Sequence, residues 1–447
     1  MKSILSIILI FIAVAASAQT SRSHYKTDLD FGNGTVFSTF FDVTRADGRF
    51  TITSPKDADV RIFGGKAKLG RAMGKSPKKG IIINITGEQK KDSLFGETTI
   101  PMFGKLKFKG ILSDDKLAGV LLKDNENIGS VSGVASKDDK IDYSDLYPLI
   151  FRTIQDNIYS KNALQGKEWN KFQKEIEKLC NVAHDDIELF LGFNILNQSL
   201  PFTHLNFFIT EEQPDTDEAP GTKKSVVFEE KNPSTAYVQI KNFTTSKDEL
   251  AVVLPQIVAN PNYTNLIIDL RDNGGGGIDA AFEFAKHITD SDMEVGYFLT
   301  NKLSYNGFQP DLFRTLPELQ PKSTKDFGAE LRTTKGAKLI FNKPANPVFT
   351  GKMYVLTNAK TASTCEPLVY VLKNSKKAII IGENTAGAML AAFPFVVSGK
   401  YTLVLPIGDF YTTDGTHLDK VGVAPDIQVK SEDALTRALE VINGGKI

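Results

Sequence analysis

The sequence predicts an α/β core over residues 201–430, preceded by a helical segment and an N-terminal all-β module. Between residues 201 and 430, apolar strand-like runs alternate with helix-like stretches, which is typical of a layered α/β domain. Residues 141–200 place apolar side chains at every third or fourth position, as amphipathic helices do. Residues 19–140 contain short β-rich runs separated by Gly, Asp and Lys turns. A chain of 447 residues is long enough for two or three domains.

The N-terminal residues 1–18 have the pattern of a signal peptide. They contain one lysine, then an apolar stretch, and end in Ala-Ser-Ala before Gln19. No cysteine follows the expected cleavage point, so we do not expect a lipoprotein anchor. No later run reaches the roughly 20 apolar residues of a membrane span. We therefore expect a soluble mature chain that is secreted or periplasmic.

The module of residues 19–140 has its clearest β-rich runs at 37–43, 50–52, 80–85, 106–112 and 116–122. We expect a plain sandwich, and a lipid- or ligand-holding barrel is the alternative. No catalytic motif stands out in it, so its role stays open. The helices of residues 141–200 follow, and a polar linker rich in Asp, Glu, Pro and Thr occupies residues 211–224. Residues 431–447 are expected to form a C-terminal helix or tail.

Composition argues against several classes of partner. The chain has 53 basic and 53 acidic residues, so nothing predicts electrostatic capture of nucleic acid or of an anionic membrane. There is neither an HExxH motif nor a pair of CxxC motifs, and we expect no metal and no cofactor. Cys180 and Cys365 are too few for a disulfide scaffold, although one bridge between them stays open.

Ser363 is the most informative residue, because it lies between a strand-like run and an apolar helix-like run. Unpaired backbone N–H groups gather at such a junction and favour developing negative charge, as a serine nucleophile requires. The alternative is structural. Ser363 and Glu366 also match the S/T-x-x-E capping box, in which the serine only begins a helix.

A second motif, NLIIDLRDNGGGG, covers residues 265–277. Its apolar run predicts a strand covered on both faces, and its four glycines allow a sharp turn whose N–H groups point at a ligand. A Walker A loop is excluded because no Gly-Lys-Ser/Thr follows, and the spacing differs from that of a dinucleotide-binding loop. An oxyanion hole or a plain flexible turn remains.

The two motifs, together with GTHLDKVGVAPDIQV at residues 415–429, resemble peptidase family S41, the C-terminal processing and tricorn-type serine proteases. The resemblance implies a crotonase/Clp-protease-like core with Ser363 as the nucleophile. Processing proteases of this family use a lysine after the nucleophile, but none occurs between Lys377 and Lys400. They also carry a PDZ domain, for which the stretch between His204 and Val238 is too short, since a domain needs roughly 50 residues.

The tricorn-like branch instead uses a histidine in an upstream Ser-His or Thr-His pair, which corresponds here to Thr203-His204. The resemblance thus implies His204 as general base and Asp419, where the branch has Glu, as the residue that orients it. It also implies an oxyanion hole from the amides of Thr364 and Gly275, or else Gly274. His417, two residues before Asp419, is the rival base. A neutral imidazole can accept the serine proton near neutral pH.

These observations predict a secreted serine peptidase that hydrolyses peptides or unfolded protein segments through a Ser-His-Asp type triad. A non-catalytic ligand- or peptide-binding protein on the same fold is the alternative, and an esterase would use the same triad. No motif in the sequence predicts a cleavage preference or an oligomeric state.

Overall fold

The computed structural model describes residues 21–32, 34–54, 83–100, 104–210, 224–319 and 323–445. The expected signal peptide at residues 1–18 and nearly all of the polar linker lie outside the described residues. The described residues form two compact units. One comprises residues 21–54, 83–141 and 183–188, and the other comprises residues 142–182 and 189–445. No helix in the described ranges is long and apolar enough to cross a membrane.

The first unit contains a closed barrel of eight antiparallel strands, in which β1 (Ser21–Asp30) pairs with both β2 (Val36–Ala46) and β8 (Glu126–Ala135). The expected sandwich is therefore wrong, because pairing of the first and last strands joins all eight into one closed sheet. The ring of Phe108 helps to fill the interior. A Cβ at Gly110 or Gly119 would lie 2.5 Å from this ring, so glycine is required at both positions. The strands are β1 (Ser21–Asp30), β2 (Val36–Ala46), β3 (Arg49–Thr53), β4 (Asn84–Lys90), β5 (Ser93–Ile100), β6 (Gly104–Leu112), β7 (Lys116–Lys123) and β8 (Glu126–Ala135).

The segment predicted to be helical contains three α-helices, α1 (Leu146–Asn157), α2 (Lys167–Val182) and α3 (Asp186–Leu196). The apolar face of α1 is buried through Leu146, Ile150, Phe151 and Ile154, which recur at helical spacing. Ring contacts link α1 to α2, with the centroids of Phe151 and Trp169 5.5 Å apart. The apolar periodicity in the sequence therefore marks the faces that pack.

The α/β core contains a six-stranded sheet made of β10 (Val226–Asn232), β11 (Thr235–Ile240), β12 (Asn265–Asp269), β15 (Lys352–Thr357), β16 (Ala378–Gly382) and β19 (Ile427–Gln428). Neighbouring strands follow this order, and only β10 is antiparallel to its neighbour. Residues 266–268 of β12 are fully buried, as the apolar run predicts for a strand covered on both faces.

A second, antiparallel sheet consists of β9 (Asn206–Ile209), β13 (Met293–Leu299), β14 (Gly336–Phe341), β17 (Ala391–Ser398) and β18 (Tyr401–Thr412). Its strand order is β14-β13-β18-β17, and β9 also pairs with β18. The remaining helices are α4 (Lys247–Ala259), α5 (Ile278–Ala285), α6 (Pro310–Phe313), α7 (Thr324–Thr333), α8 (Cys365–Asn374) and α9 (Ala434–Ile442).

Two strand-to-helix connections lie side by side at one edge of the six-stranded sheet. The glycine loop (residues 271–277) joins β12 to α5, and the serine segment (residues 358–364) joins β15 to α8. Because β12 and β15 are adjacent and parallel, both connections leave the sheet at the same edge. The N–H of Ala362 donates to the carbonyl of Asn273 at 3.0 Å, which fastens one connection to the other.

Candidate active site

Ser363 is the last residue but one before α8 and has a left-handed backbone with φ of 55°. Its N–H donates to the carbonyl of Ala388 at 2.9 Å. The cap position of α8 belongs to Thr364, whose hydroxyl donates to the carbonyl of Gly276 at 2.7 Å. No other described residue forms a hydrogen bond with the Ser363 hydroxyl. The Ser363 side chain therefore does not cap the helix, and its hydroxyl is available for chemistry.

Of the two hydrogen bonds of a capping box, only the one from the Ser363 N–H to the Glu366 side chain is formed. The fully buried Glu366 carboxylate accepts the N–H of Ser363 at 3.2 Å, as well as the hydroxyl of Thr385 at 2.6 Å. The N–H groups of Gly387 and Ala388 each donate to it at 2.8 Å. Burial raises the pKa of Glu366, and these four donors oppose that rise. The carboxylate thus joins the backbone of Ser363 to the segment 385–388.

The glycine loop packs directly against Ser363. A Cβ at Gly275, where φ is 95°, would lie 2.6 Å from the Cβ of Ser363, so no side chain fits there. The N–H of Gly275, predicted as an oxyanion donor, already donates to Oδ1 of Asn273 at 2.9 Å. Within the described residues, the N–H groups of Gly274 and Thr364 have no acceptor. The arrangement therefore leaves Gly274 and Thr364 as the free amides beside Ser363.

Thr203 connects His204 to Asp419, a contact that the sequence did not assign. Nδ1 of His204 lies 2.7 Å from Oγ1 of Thr203, and that hydroxyl donates to Oδ1 of Asp419. The N–H of Thr203 donates to Oδ2 of Asp419 at 3.1 Å, and that of Met389 donates to Oδ1 at 3.2 Å. The sequence predicts that Asp419 orients His204, less directly than the Glu of the tricorn-like branch because aspartate is one methylene shorter. In the structure, the Thr203 hydroxyl lies between the two side chains and connects them.

This chain of hydrogen bonds assigns the tautomer of His204. Because the Thr203 hydroxyl donates to Asp419, its oxygen accepts from Nδ1–H of His204, and Nε2 keeps a lone pair. Burial lowers the pKa of His204 to about 4, and the positive charge of Lys420 adds to this effect. Burial also raises the pKa of Asp419 above its usual range. His204 is therefore neutral at pH 7 and can accept a proton.

His417, the rival base, is already held by another carboxylate. Its Nε2 lies 2.5 Å from Oδ1 of Asp409, whose other oxygen accepts the hydroxyl of Tyr305 at 2.9 Å. Burial alone lowers the pKa of His417, but the Asp409 carboxylate outweighs this and leaves the pKa above its usual value. His204 lines the same cavity as Ser363, and His417 is not among the lining residues. The geometry favours His204 as the base.

The cavity beside Ser363 has a volume of about 530 Å³. Ser363, His204, Thr364 and Gly274 line it, and most of the other lining residues are apolar. The Ser363–His204 hydrogen bond that base catalysis uses is not formed in this structure. Catalytic hydrogen bonds are often long in free enzymes and tighten when substrate binds. One cavity therefore contains a hydroxyl, a neutral imidazole and two free amides.

Both cysteines are free thiols in buried positions, so the structure contains no Cys180–Cys365 bridge. The Sγ atom of Cys365 faces the carbonyl of Asn273 at 3.5 Å. Burial raises the pKa of the Cys365 thiol well above its usual value, so it stays protonated at neutral pH. Cys365 is therefore not a competing nucleophile.

Comparison with known proteins identifies the core. Residues 234–429 match the model of peptidase family S41. The α/β core belongs to this family. The match contains Ser363, the glycine loop and Asp419, whereas Thr203 and His204 lie upstream of it. The S41 match thus contains Ser363, the candidate nucleophile, whereas His204 is a candidate because of the Thr-His pair and the geometry.

Among curated proteins, the S41 core is similar to the chloroplastic C-terminal processing peptidase of Tetradesmus obliquus. The two are 24% identical over 197 residues, which are 44% of this chain and 35% of that protein. The chloroplastic carboxyl-terminal-processing peptidase 2 of Arabidopsis thaliana is also 24% identical over 197 residues, 44% of this chain and 32% of its own. The match thus spans about a third of the length of these relatives.

Among solved structures, a putative peptidase from Parabacteroides merdae is 16% identical to this chain, with a TM-score of 0.48. The alignment covers 68% of this chain and 97% of that one.

Proposed function

We propose that this protein is a serine peptidase that hydrolyses peptide bonds in peptides or unfolded protein segments. The observation that carries the proposal is that Ser363, neutral His204 and the amides of Gly274 and Thr364 line one cavity, and that the Ser363 hydroxyl and both amides have no hydrogen-bond partner among the described residues. Membership of the core in family S41 supports peptide bonds as the substrate. A secreted or periplasmic location belongs to the proposal, and it rests on the signal pattern of residues 1–18.

In the first step, Oγ of Ser363 attacks the carbonyl carbon of the scissile bond, and its proton moves to Nε2 of His204. The negative charge that forms on the carbonyl oxygen is stabilised by the N–H groups of Thr364 and Gly274. Each donor of this kind contributes about 2.7–4 kcal/mol to transition-state stabilisation in a comparable enzyme. Both donors are backbone groups beside the N-terminus of α8, whose dipole adds to the effect.

His204 becomes an imidazolium in this step and must be held in place. Its Nδ1–H donates to the Thr203 hydroxyl, and that hydroxyl donates to the Asp419 carboxylate. The negative charge of Asp419 therefore stabilises the imidazolium through one intervening hydroxyl. When the tetrahedral intermediate collapses, His204 gives its proton to the leaving amine. A water molecule then attacks the acyl group on Ser363 with His204 again as base. The use of histidine in a Thr-His pair places this proposal with the tricorn-like branch of the family.

The proposal is tested by digesting a mixed peptide library at pH 7–8 and identifying the products by mass spectrometry. The protein with residues 1–18 removed is compared with its Ser363→Ala variant. Cleavage by the parent alone supports the proposal, and the new termini give the cleavage preference. Equal cleavage by both proteins overturns the assignment of Ser363. If neither cleaves, the proposal fails in favour of a ligand- or peptide-binding protein on the same fold, or of an esterase, which an ester substrate reveals.

A further inference from the structure

We infer that the cavity selects a large apolar side chain on the acyl side of the scissile bond, an inference that rests on the proposed peptidase function. The cavity extends from Ser363 into a wall of three phenylalanine rings. Phe298 and Phe327 have their ring centroids 5.0 Å apart, and those of Phe327 and Phe393 are 5.5 Å apart. These three residues form a continuous aromatic wall (Phe298, Phe327 and Phe393). Each of them is at least 94% buried, so only a small part of the wall is exposed to the cavity.

The chemistry of the lining excludes charged occupants. None of the described residues that line the cavity is Lys, Arg, Asp or Glu. A charged side chain placed there would lose its hydration and find no ion partner, which is costly in an apolar site. An aromatic or branched aliphatic side chain would instead bury its surface against other rings. The lining outside the aromatic wall adds further apolar groups, namely Ile278, Met389, Leu390, Ala391, Ala392, Val404 and Phe208.

Helix α7, which carries Phe327 of the aromatic wall, contacts the glycine loop. This contact indicates which side of the scissile bond faces the aromatic wall. Helix α7 begins at Thr324, whose hydroxyl donates to Oδ1 of Asp279 at 3.1 Å. A Cβ at Gly277 would lie 2.8 Å from that hydroxyl oxygen, so the start of α7 touches the loop. Phe327 follows less than one turn later on the same helix.

The carbonyl under attack must point its oxygen at the amides of Gly274 and Thr364. The residue that contributes this carbonyl therefore lies against the glycine loop, and the leaving amine lies towards His204. A side chain of the acyl residue that extends past the loop reaches the aromatic wall. The cavity volume of about 530 Å³ falls within the range of roughly 300–1,000 Å³ that is typical of ligand pockets. It can hold a phenylalanine or leucine side chain.

Gly328 holds the aromatic wall at its present position. A Cβ at this residue would lie 2.5 Å from the ring of Phe393, so the ring packs directly on the backbone of α7. The close contact fixes the position of Phe393, which lines the cavity. A glycine that has no catalytic contact thus positions one ring of the aromatic wall.

The test measures kcat/KM for a series of quenched peptides that differ only in the acyl residue: Phe, Leu, Ala, Lys or Glu. We expect Phe and Leu to exceed Ala by about 10- to 200-fold, the usual discrimination of an apolar pocket, and to exceed Lys and Glu by more. A filling variant, Ala392→Phe, is expected to reduce the Phe-to-Ala ratio of kcat/KM at least tenfold. Val396→Phe lies on the same strand with an exposed side chain outside the cavity, and it should keep the parent ratio.

Each outcome separates this inference from the proposed function. If the parent cleaves none of the peptides, the peptidase function itself fails. If it cleaves them but prefers Lys, Glu or Ala, the apolar selection is wrong and the peptidase function stands. If the parent prefers Phe and Leu, the selection is supported even where Ala392→Phe proves unstable by its thermal unfolding midpoint. A folded Ala392→Phe variant that keeps the parent ratio would contradict the assignment of this cavity to the acyl side chain.

Discussion

Replacing Thr203 with valine should remove the link between His204 and Asp419 while keeping the shape of the side chain. Two contacts disappear, the one of 2.7 Å between Nδ1 of His204 and Oγ1 of Thr203, and the hydrogen bond from that hydroxyl to Asp419. The backbone bond from the Thr203 N–H to Asp419, at 3.1 Å, does not depend on the side chain and should remain. The substitution therefore tests the relay without detaching Asp419.

The size of the effect follows from the charge that forms on His204 during catalysis. A hydrogen bond that serves a charged group is worth about 1.5–3 kcal/mol. Losing it when the imidazolium forms should reduce kcat about 10- to 150-fold, with a much smaller change in KM. The assay is steady-state hydrolysis of a quenched peptide by the parent, Thr203→Val and Thr203→Ser. The serine variant keeps the hydroxyl and should stay within about threefold of the parent. The reasoning is refuted if the valine variant also keeps the parent kcat, or if the serine variant loses as much.

Three further predictions follow from the same contacts. Only neutral His204 accepts a proton, and its pKa is lowered to about 4, so kcat/KM should stay constant down to about pH 5 and fall as the pH decreases through about 4. A kcat/KM that falls to half its plateau value near pH 6.5, the ordinary pKa of histidine, would contradict this. Gly275→Ala brings a Cβ to 2.6 Å from the Cβ of Ser363, which should displace Ser363 and reduce kcat about 100-fold. The circular dichroism spectrum of the variant should be unchanged, which serves as the control for folding. Glu366→Gln leaves one oxygen for four donors and should reduce both kcat and unfolding free energy, the latter by about 1–3 kcal/mol. Glu249→Gln, at a carboxylate that accepts two backbone amides elsewhere in the core, is the matched control and should affect stability alone; equal kcat losses in the two variants would contradict a role for Glu366 in positioning the nucleophile.

Local patterns in the sequence were enough to predict the α/β core and the strand-to-helix junction at Ser363. The buried strand β12 appears as an uninterrupted apolar run, and the junction that holds Ser363 appears as a strand-like run followed by a helix-like one. Both signals lie within a dozen residues, so they do not depend on how distant parts of the chain meet. The S41 match of residues 234–429 confirms the family that these motifs suggested.

Contacts between distant segments could not be predicted from the sequence. Thr203 and Asp419 are 216 residues apart, and nothing local indicates that a threonine hydroxyl would stand between the histidine and the carboxylate. The Thr-His pair and the unusually short acid were the only signals that could have suggested it. The same limit applies to the barrel, since a closed sheet and a sandwich use the same alternating strands. Only the pairing of β1 with β8 separates them.

Polar competition within a loop was equally hidden. The four glycines predict several backbone N–H groups that are free to bind a ligand. In the structure, however, Oδ1 of Asn273 accepts the N–H of Gly275. Asn273 is itself fixed because its Nδ2 donates to the carbonyl of Ile240 at 2.8 Å. The sequence shows which residues can supply amides, and tertiary contacts decide which amides stay free.

The central claim, that His204 is the base for Ser363, is tested most directly by chemical rescue. The rate of peptide hydrolysis by His204→Gly is measured with and without added imidazole, which can occupy the space of the missing ring. We predict a rate near zero that imidazole restores in a saturable manner, and no restoration in Ser363→Ala. A His204→Gly variant that keeps the parent rate, or imidazole that restores Ser363→Ala as well, would contradict the account.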